Sequence, residues 1–152
     1  MDAGVEDGGL VGRWSVEARY GATSMEDQEL VFKPDGSGWC EYARPFYSRF
    51  TLFRWSVPAV GRLRLSPYRA ARSQEGRAGG RIVDAPSVPG PVEAGYRVAL
   101  EDRRAQGAGR LLVLRVDLPI TELRDGAYGL LTRDTPAGER PHLSWLDGPR
   151  RA

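Results

Sequence analysis

The chain has one cysteine (Cys40), one histidine (His142) and one lysine (Lys33) in 152 residues. A single cysteine forbids an intramolecular disulfide. One histidine and one cysteine cannot supply the soft ligand cluster that a zinc site needs, so no metal is expected. A histidine-based catalytic triad would have to run through His142, which lies in a proline-rich tail. The carboxylates Asp84, Glu93, Glu101, Asp102, Asp117 and Glu122 are scattered along the chain and read as solvated charge. Long segments with apolar residues at helical spacing and good caps are missing too.

Other absences bear on location and partners. No apolar run approaches the length of a membrane-spanning helix. The first ten residues, MDAGVEDGGL, lack the basic start and apolar run of a secretory signal. A cytoplasmic protein with no membrane partner is the expectation. The net charge is only +2, and acidic residues are interspersed with the basic ones. Nucleic-acid binding asks for a clustered basic stripe, so nucleic acid is not an expected partner. The preference for arginine over lysine reads as the codon bias of a GC-rich bacterial genome; selection of arginine for anion recognition is the other reading. The run GRAGGR at 76–81 neither follows a strand nor opens a helix, so it is no phosphate cradle, and no cofactor is expected.

What is present points to strands. Hydrophobic residues make up 41% and charged residues 28%, ordinary for a globular chain. Nineteen glycines and eleven prolines imply many turns. The organising stretch is 28–55, which reads as three consecutive antiparallel strands. Its first turn is Lys33-Pro34-Asp35-Gly36-Ser37. Proline presets φ, aspartate tolerates the next position, and glycine takes the left-handed one. A three-residue loop of this kind pairs Phe32 with Gly38, Leu30 with Cys40 and Gln28 with Tyr42. Leu30, Phe32, Cys40 and Tyr42 then share one face; Val31, Lys33, Trp39 and Glu41 share the other. A two-residue turn at Asp35-Gly36 would slip the pairing by one and exchange the faces of one strand.

The rest of the chain adds strands to the same sheet. Residues 1–9 form an acidic, glycine-rich tail, expected to be disordered. Trp14, Val16, Ala18 and Tyr20 alternate with Arg13, Ser15, Glu17 and Arg19 in a half-buried strand. From Phe46 to Val57 both faces carry aromatics, which predicts a strand buried on both sides or covered at one end. A turn at 58–61 leads to a short strand at 62–66. The segment 67–95, rich in Arg, Gly, Pro and Ala, reads as a long loop in which only 81–84 has strand character. Such a loop is a flexible hairpin tip or a lid over a barrel mouth. Strands follow at 96–102, 110–118 and 127–133. Residues 134–152 form a proline-rich tail, where His142, Leu143, Trp145 and Leu146 allow a final edge strand or packing across a barrel end.

About eight strands linked as neighbours make a meander. The fold class is therefore all-β, a single up-and-down antiparallel barrel spanning 10–133; closure removes the exposed edges.

Three short motifs carry a family likeness: Gly12-Arg13-Trp14, the run from Leu30 to Gly38 (LVFKPDGSG), and Phe53-Arg54-Trp55 followed by Leu63-Arg64-Leu65. In these the chain resembles the bacterial lipocalin-like barrels of the calycin superfamily, over residues 11–66. The resemblance implies that Trp14 lies across a closed end of the barrel. It also implies that an arginine of the last strand, Arg133 here, stacks on that indole. The insertion at 67–95 departs from the family pattern.

The functional expectations follow from the inner faces. Tyr20, Phe32, Tyr42, Phe53, Trp55, Tyr96 and Tyr128 fall there, either as core packing or as the walls of a cavity for a hydrophobic or aromatic small molecule. Arg49 shares the face of Phe53 and Trp55. A buried guanidinium needs an acid group from the protein or from a ligand; a strand end reaching solvent is the plainer reading. Three functions fit. One is a small-molecule-binding barrel. Another is a cofactor-free cyclase or isomerase that holds a ligand in one shape. The third is a protein–protein module using the outer aromatics Trp39, Phe46 and Phe50. Cys40, inside a strand, reads as a buried inert thiol. Whether the protein is an enzyme, and how many copies assemble, does not follow from these residues.

Overall fold

A computed structural model describes residues 9–16, 27–44, 47–76, 79–84, 88, 90–102, 109–117 and 126–135. Nine strands run through them, and no helix occurs among these residues: β1 (Gly12–Ser15), β2 (Asp27–Phe32), β3 (Ser37–Arg44), β4 (Tyr47–Ala59), β5 (Arg62–Gly76), β6 (Gly79–Asp84), β7 (Val92–Asp102), β8 (Arg110–Val116) and β9 (Ala127–Thr132). Neighbours pair antiparallel from β1 to β5, then β5 with β7, β7 with β8, β8 with β9, and β9 with β1. Eight strands therefore close a ring, as the all-β meander predicts. β6 stands outside the ring and pairs with the far part of β5.

The ring closes through a stagger. β7 offers Val92 to Gly95 to β5 and Tyr96 to Asp102 to β8. A sheet can bend into a barrel only when its strands tilt and slip in register this way.

The turn between β2 and β3 fixes the register of the central hairpin. Phe32 pairs with Gly38, Leu30 with Cys40 and Gln28 with Tyr42, which is the three-residue-loop alternative. Gly36 has φ +89°, a conformation costly for any residue with a Cβ. The Lys33 amide donates to the Ser37 carbonyl at 2.9 Å, and the Gly36 amide to the Lys33 carbonyl at 3.1 Å. Asp35 tightens the loop from outside, accepting from the Ser37 amide at 2.9 Å and from its hydroxyl at 2.6 Å. Those bonds hold the Asp35 carboxyl below its ordinary pKa of 3.8.

Alternation along the strands sorts the side chains into an inside and an outside. One cluster draws on all eight ring strands, among its members Trp14, Leu30, Phe32, Cys40, Phe53, Leu63, Ala94, Leu114 and Tyr128. That is the interior. On the outside of β2 to β5, Val31, Trp39, Phe50, Leu52 and Ala71 form a second buried cluster. Phe50 is 1% exposed and Phe53 0%, so β4 is buried on both faces, as its two-sided aromatics predict. A third cluster, Leu111, Val113 and Ala127, lies outside β8 and β9.

The segment 67–95 is not the long loop that its composition predicts. β5 continues through it to Gly76, β6 follows, and β7 begins at Val92. Pro67 and the arginines hide the strand. The register of β4 on β5 shifts between Leu52 and Phe53, so that Leu52 pairs with Arg69 and Phe53 with Pro67. Proline, which has no amide to give the ladder, is tolerated at such a bulge. Beyond it the pairing resumes as Thr51 with Ala70, Phe50 with Ala71 and Arg49 with Arg72. The 58–61 turn is also shorter than expected, because β4 runs through Pro58 to Ala59 over a second irregularity.

Tyr20, Phe46, His142, residues 118–125 and the tails at 1–8 and 136–152 lie outside the described residues.

Candidate functional site

Trp14 is part of the interior cluster of the ring. Its indole is fully buried, and its N–H donates to the Leu10 carbonyl at 2.8 Å. The Arg133 guanidinium carbon lies 5.7 Å from the indole centroid, within cation–π range. The same guanidinium donates to the carbonyls of Gly9 and, at 2.8 Å, Val11. The strand that ends the ring is thus tied to the segment that starts it.

Five of the sequence-predicted site residues come together in the interior. Phe32, Phe53 and Tyr128 are fully buried in the main cluster, and Trp55 and Tyr96 pack against it partly exposed. Phe32 meets Trp55 edge-on at 5.3 Å and Phe53 at 5.8 Å, tilted 49°. Gly38 makes the second contact possible, since a Cβ there would meet the Val31 carbonyl and stand 2.8 Å from the Phe53 ring. The Trp55 N–H is committed to the fold: it is shared between the carbonyls of Lys33 at 3.0 Å and Ser37 at 3.1 Å. Trp55 therefore holds the β2–β3 turn against β4.

The other two described residues, Tyr42 and Arg49, are direct partners across β3 and β4. The full row reads Gln28, Tyr42, Arg49, Arg72 across β2 to β5. It lies on the inner face, one step along from the row Leu30, Cys40, Thr51, Ala70. In that second row Leu30, Cys40 and Thr51 are at most 4% exposed. Gln28 is buried, Tyr42 and Arg49 are half-buried, and Arg72 is exposed. The row is a polar rim at the edge of an apolar interior. Arg72 escapes a reading of the sequence because its segment looks like a loop. Alternation alone would put Arg72 on the outside; the bulge shifts the parity, so that Ala70 and Arg72 continue the face that Leu63 and Leu65 occupy before it.

Acidic side chains sit on the other side of the wall. Glu29 pairs with Arg13 at 2.5 Å, Glu93 with Arg62 and Arg64 at 3.3 and 3.5 Å, and Glu101 with Arg115 at 2.7 Å. All of these alternate with inward residues and face outward. Trp39 and Phe50, expected as an exposed outer surface, are 2% and 1% exposed. Among the described residues the Trp39 N–H has no hydrogen-bond partner, nor do Arg13 Nε and Glu29 Oε1. Arg13, Val31 and Trp39 form one outer row, with Glu29 beside Arg13. Cys40 is buried at 4% exposure. Among the described residues no three His, Cys, Asp or Glu side chains gather as a metal site, and no helix is long and apolar enough to cross a membrane.

The chain was compared with protein-family models, with curated proteins and with solved structures, and none of them matches it.

Proposed function

We propose that this protein is a lipocalin-like barrel of the calycin kind that holds a hydrophobic or aromatic small molecule in its interior. The observation that carries the reading is a closed eight-strand ring, apolar within, with Trp14 buried beneath Arg133 and a polar row at the edge of the interior. An apolar enclosure with a few placed polar groups is what a small-molecule site requires. Phe32, Phe53 and Tyr128 form its packed floor; Tyr42 and Arg49, only half-buried, are the members placed to meet a ligand.

Native mass spectrometry of the purified protein tests this directly. A bound small molecule that co-purifies, or saturable binding of apolar aromatic probes, is the expected result. A protein that carries nothing and binds no apolar probe would end the proposal.

The pairing of Tyr42 with Arg49 also favours a second reading, a cofactor-free cyclase or isomerase in which those donors polarise a held substrate. Tyr42→Phe and Arg49→Ala separate the two. Loss of turnover with binding intact indicates chemistry, and loss of binding alone indicates carriage.

A further inference from the structure

We infer that the C-terminal segment 136–152 lies as a strap across the outside of β2–β5, with Leu143, Trp145 and Leu146 covering Trp39, Phe50 and Leu52. The inference concerns the outer wall and is independent of what the interior holds.

The wall itself asks for a cover. The nine strands form one sheet, so the ring is a single layer and no strand is left over to lie on it. Side chains on the outer face of such a sheet ordinarily meet water. Yet Val31, Trp39, Phe50, Leu52 and Ala71, on that face, are 0–2% exposed. Ser15, at 1%, and Glu29 and Glu41, at 9%, border them on the same side. Elsewhere on the outer wall Arg54, Arg64 and Arg97 are exposed, so the burial is confined to one patch. Glu41, Phe50 and Arg69, all at outward positions of the patch, each have a further interaction within the chain.

The last segment of the chain suits the patch in reach, apolarity and charge. Reach follows from the register. Thr132, Arg13, Val31, Trp39 and Leu52 are successive partners across β9, β1, β2, β3 and β4. Trp39 is thus three strands from the end of β9, about 15 Å. The eight residues that follow Thr135, up to Leu143, span about 26 Å when extended. Leu143, Trp145 and Leu146 then supply apolar area of the kind that the patch presents. Arg140, Arg150 and Arg151 flank them, and Glu29 and Glu41 border the patch with the opposite charge.

The other segments fit less well. Residues 103–108 and 118–125 join β7, β8 and β9, across the ring from β3. Residues 1–8 carry three acidic side chains and no basic one, which Glu29 and Glu41 would repel. Residues 17–26 are held at both ends, by Val16 and Asp27. To reach Leu52, two strands over and four positions along, their midpoint would be stretched taut. The remaining gaps between described residues are three residues or fewer.

Nuclear magnetic resonance on the full chain tests the strap. A nitroxide on Gly148→Cys, in a Cys40→Ala background, should broaden the amides of Val31, Trp39 and Leu52. It should spare those of Val113 and Leu114 across the ring. Unbroadened β2–β4 amides, or equal broadening on both sides, overturns the strap. Labelled protein mixed with isotope-enriched unlabelled protein should give no broadening; broadening there would place the segment on a second copy and also overturn it. The Trp39 indole N–H gives a second readout. It has no acceptor among the described residues, so exclusion of water is what slows its exchange. Leu143→Ser with Trp145→Ser should speed that exchange by about tenfold or more, while the Trp14 N–H, bonded to the Leu10 carbonyl, stays within about twofold. No acceleration at Trp39, or equal acceleration at both indoles, overturns the strap. So does acceleration by Tyr20→Ser with Met25→Ser in place of the tail variants. Should the serine variants fail to fold, the nitroxide experiment decides alone.

Discussion

The Arg133 guanidinium lies 5.7 Å from the Trp14 ring centroid while donating to the backbone of Gly9 and Val11. One side chain at the end of β9 thereby stacks on the first aromatic of β1 and ties down the chain that precedes it. Trp14→Ala should destabilise by about 3 kcal/mol or more, as deletion of a large core aromatic does. Arg133→Met should cost far less on its own. In a double-mutant cycle followed by urea unfolding, the two should couple by about 0.5–1 kcal/mol. An unchanged melting temperature in Trp14→Ala would remove Trp14 from the core.

Trp55 clasps the β2–β3 turn through one N–H shared between two carbonyls. Trp55→Phe should cost about 1 kcal/mol beyond the lost ring area. The Gly36 amide, bonded to one of the same carbonyls, should exchange faster with solvent. Unaltered exchange at Gly36 would show that the turn holds without its clasp.

Two buried tryptophans differ in one bond. The Trp14 N–H has an acceptor, and the Trp39 N–H has none among the described residues. A buried unmet donor is a standing cost, so replacing it by carbon recovers energy that offsets lost packing. Trp14→Phe should therefore cost about 1 kcal/mol more than Trp39→Phe. Equal losses in thermal unfolding would mean that Trp39 finds an acceptor in solution.

Gly38→Ala should prove more damaging than Gly36→Ala. At Gly36 the penalty is conformational, φ being +89°, and amounts to about 1 kcal/mol. At Gly38 the new methyl meets the Val31 carbonyl and the Phe53 ring, so backbone and core must shift, at about 1–3 kcal/mol or more. Phe53→Leu should partly rescue Gly38→Ala, and absence of rescue would place the strain in the backbone alone.

Asp35 links the turn to pH. Its folded pKa lies below the ordinary 3.8, chiefly because the Ser37 hydroxyl and then the Ser37 amide donate to it. A depressed carboxylate pKa adds stability above the unfolded value, and that stability is lost as pH falls through the folded one. The contribution is small because solvent surrounds the group. Ser37→Ala should raise the Asp35 midpoint in a carbon-detected NMR titration and flatten the acid limb of stability. A midpoint that does not move would assign the depression to other charges.

Alternation and turn chemistry are local properties, and they were enough for the architecture. Pro34, Asp35 and Gly36 admit a small set of turns, and a period of two leaves each strand one choice of inner face. The double-sided aromatics of β4 announced burial on both sides for the same reason. Locality also explains the failure at 67–76. Pro67 and the dense arginines argue against a strand when read alone, and only the partner strand β4, more than a dozen residues away in the chain, supplies the ladder that overrides them.

The rim arginines needed the fold. Arg49 and Arg72 are far apart in sequence, and nothing in either neighbourhood marks the other. Cross-strand register, bulge included, makes them partners, because a sheet brings together residues at a separation set by the hairpin and not by any motif. The sequence by itself determined that the chain folds as a ribbon with an apolar side and a wet side. Tertiary structure decided which charges share a face, since only closure of the ring defines an inside.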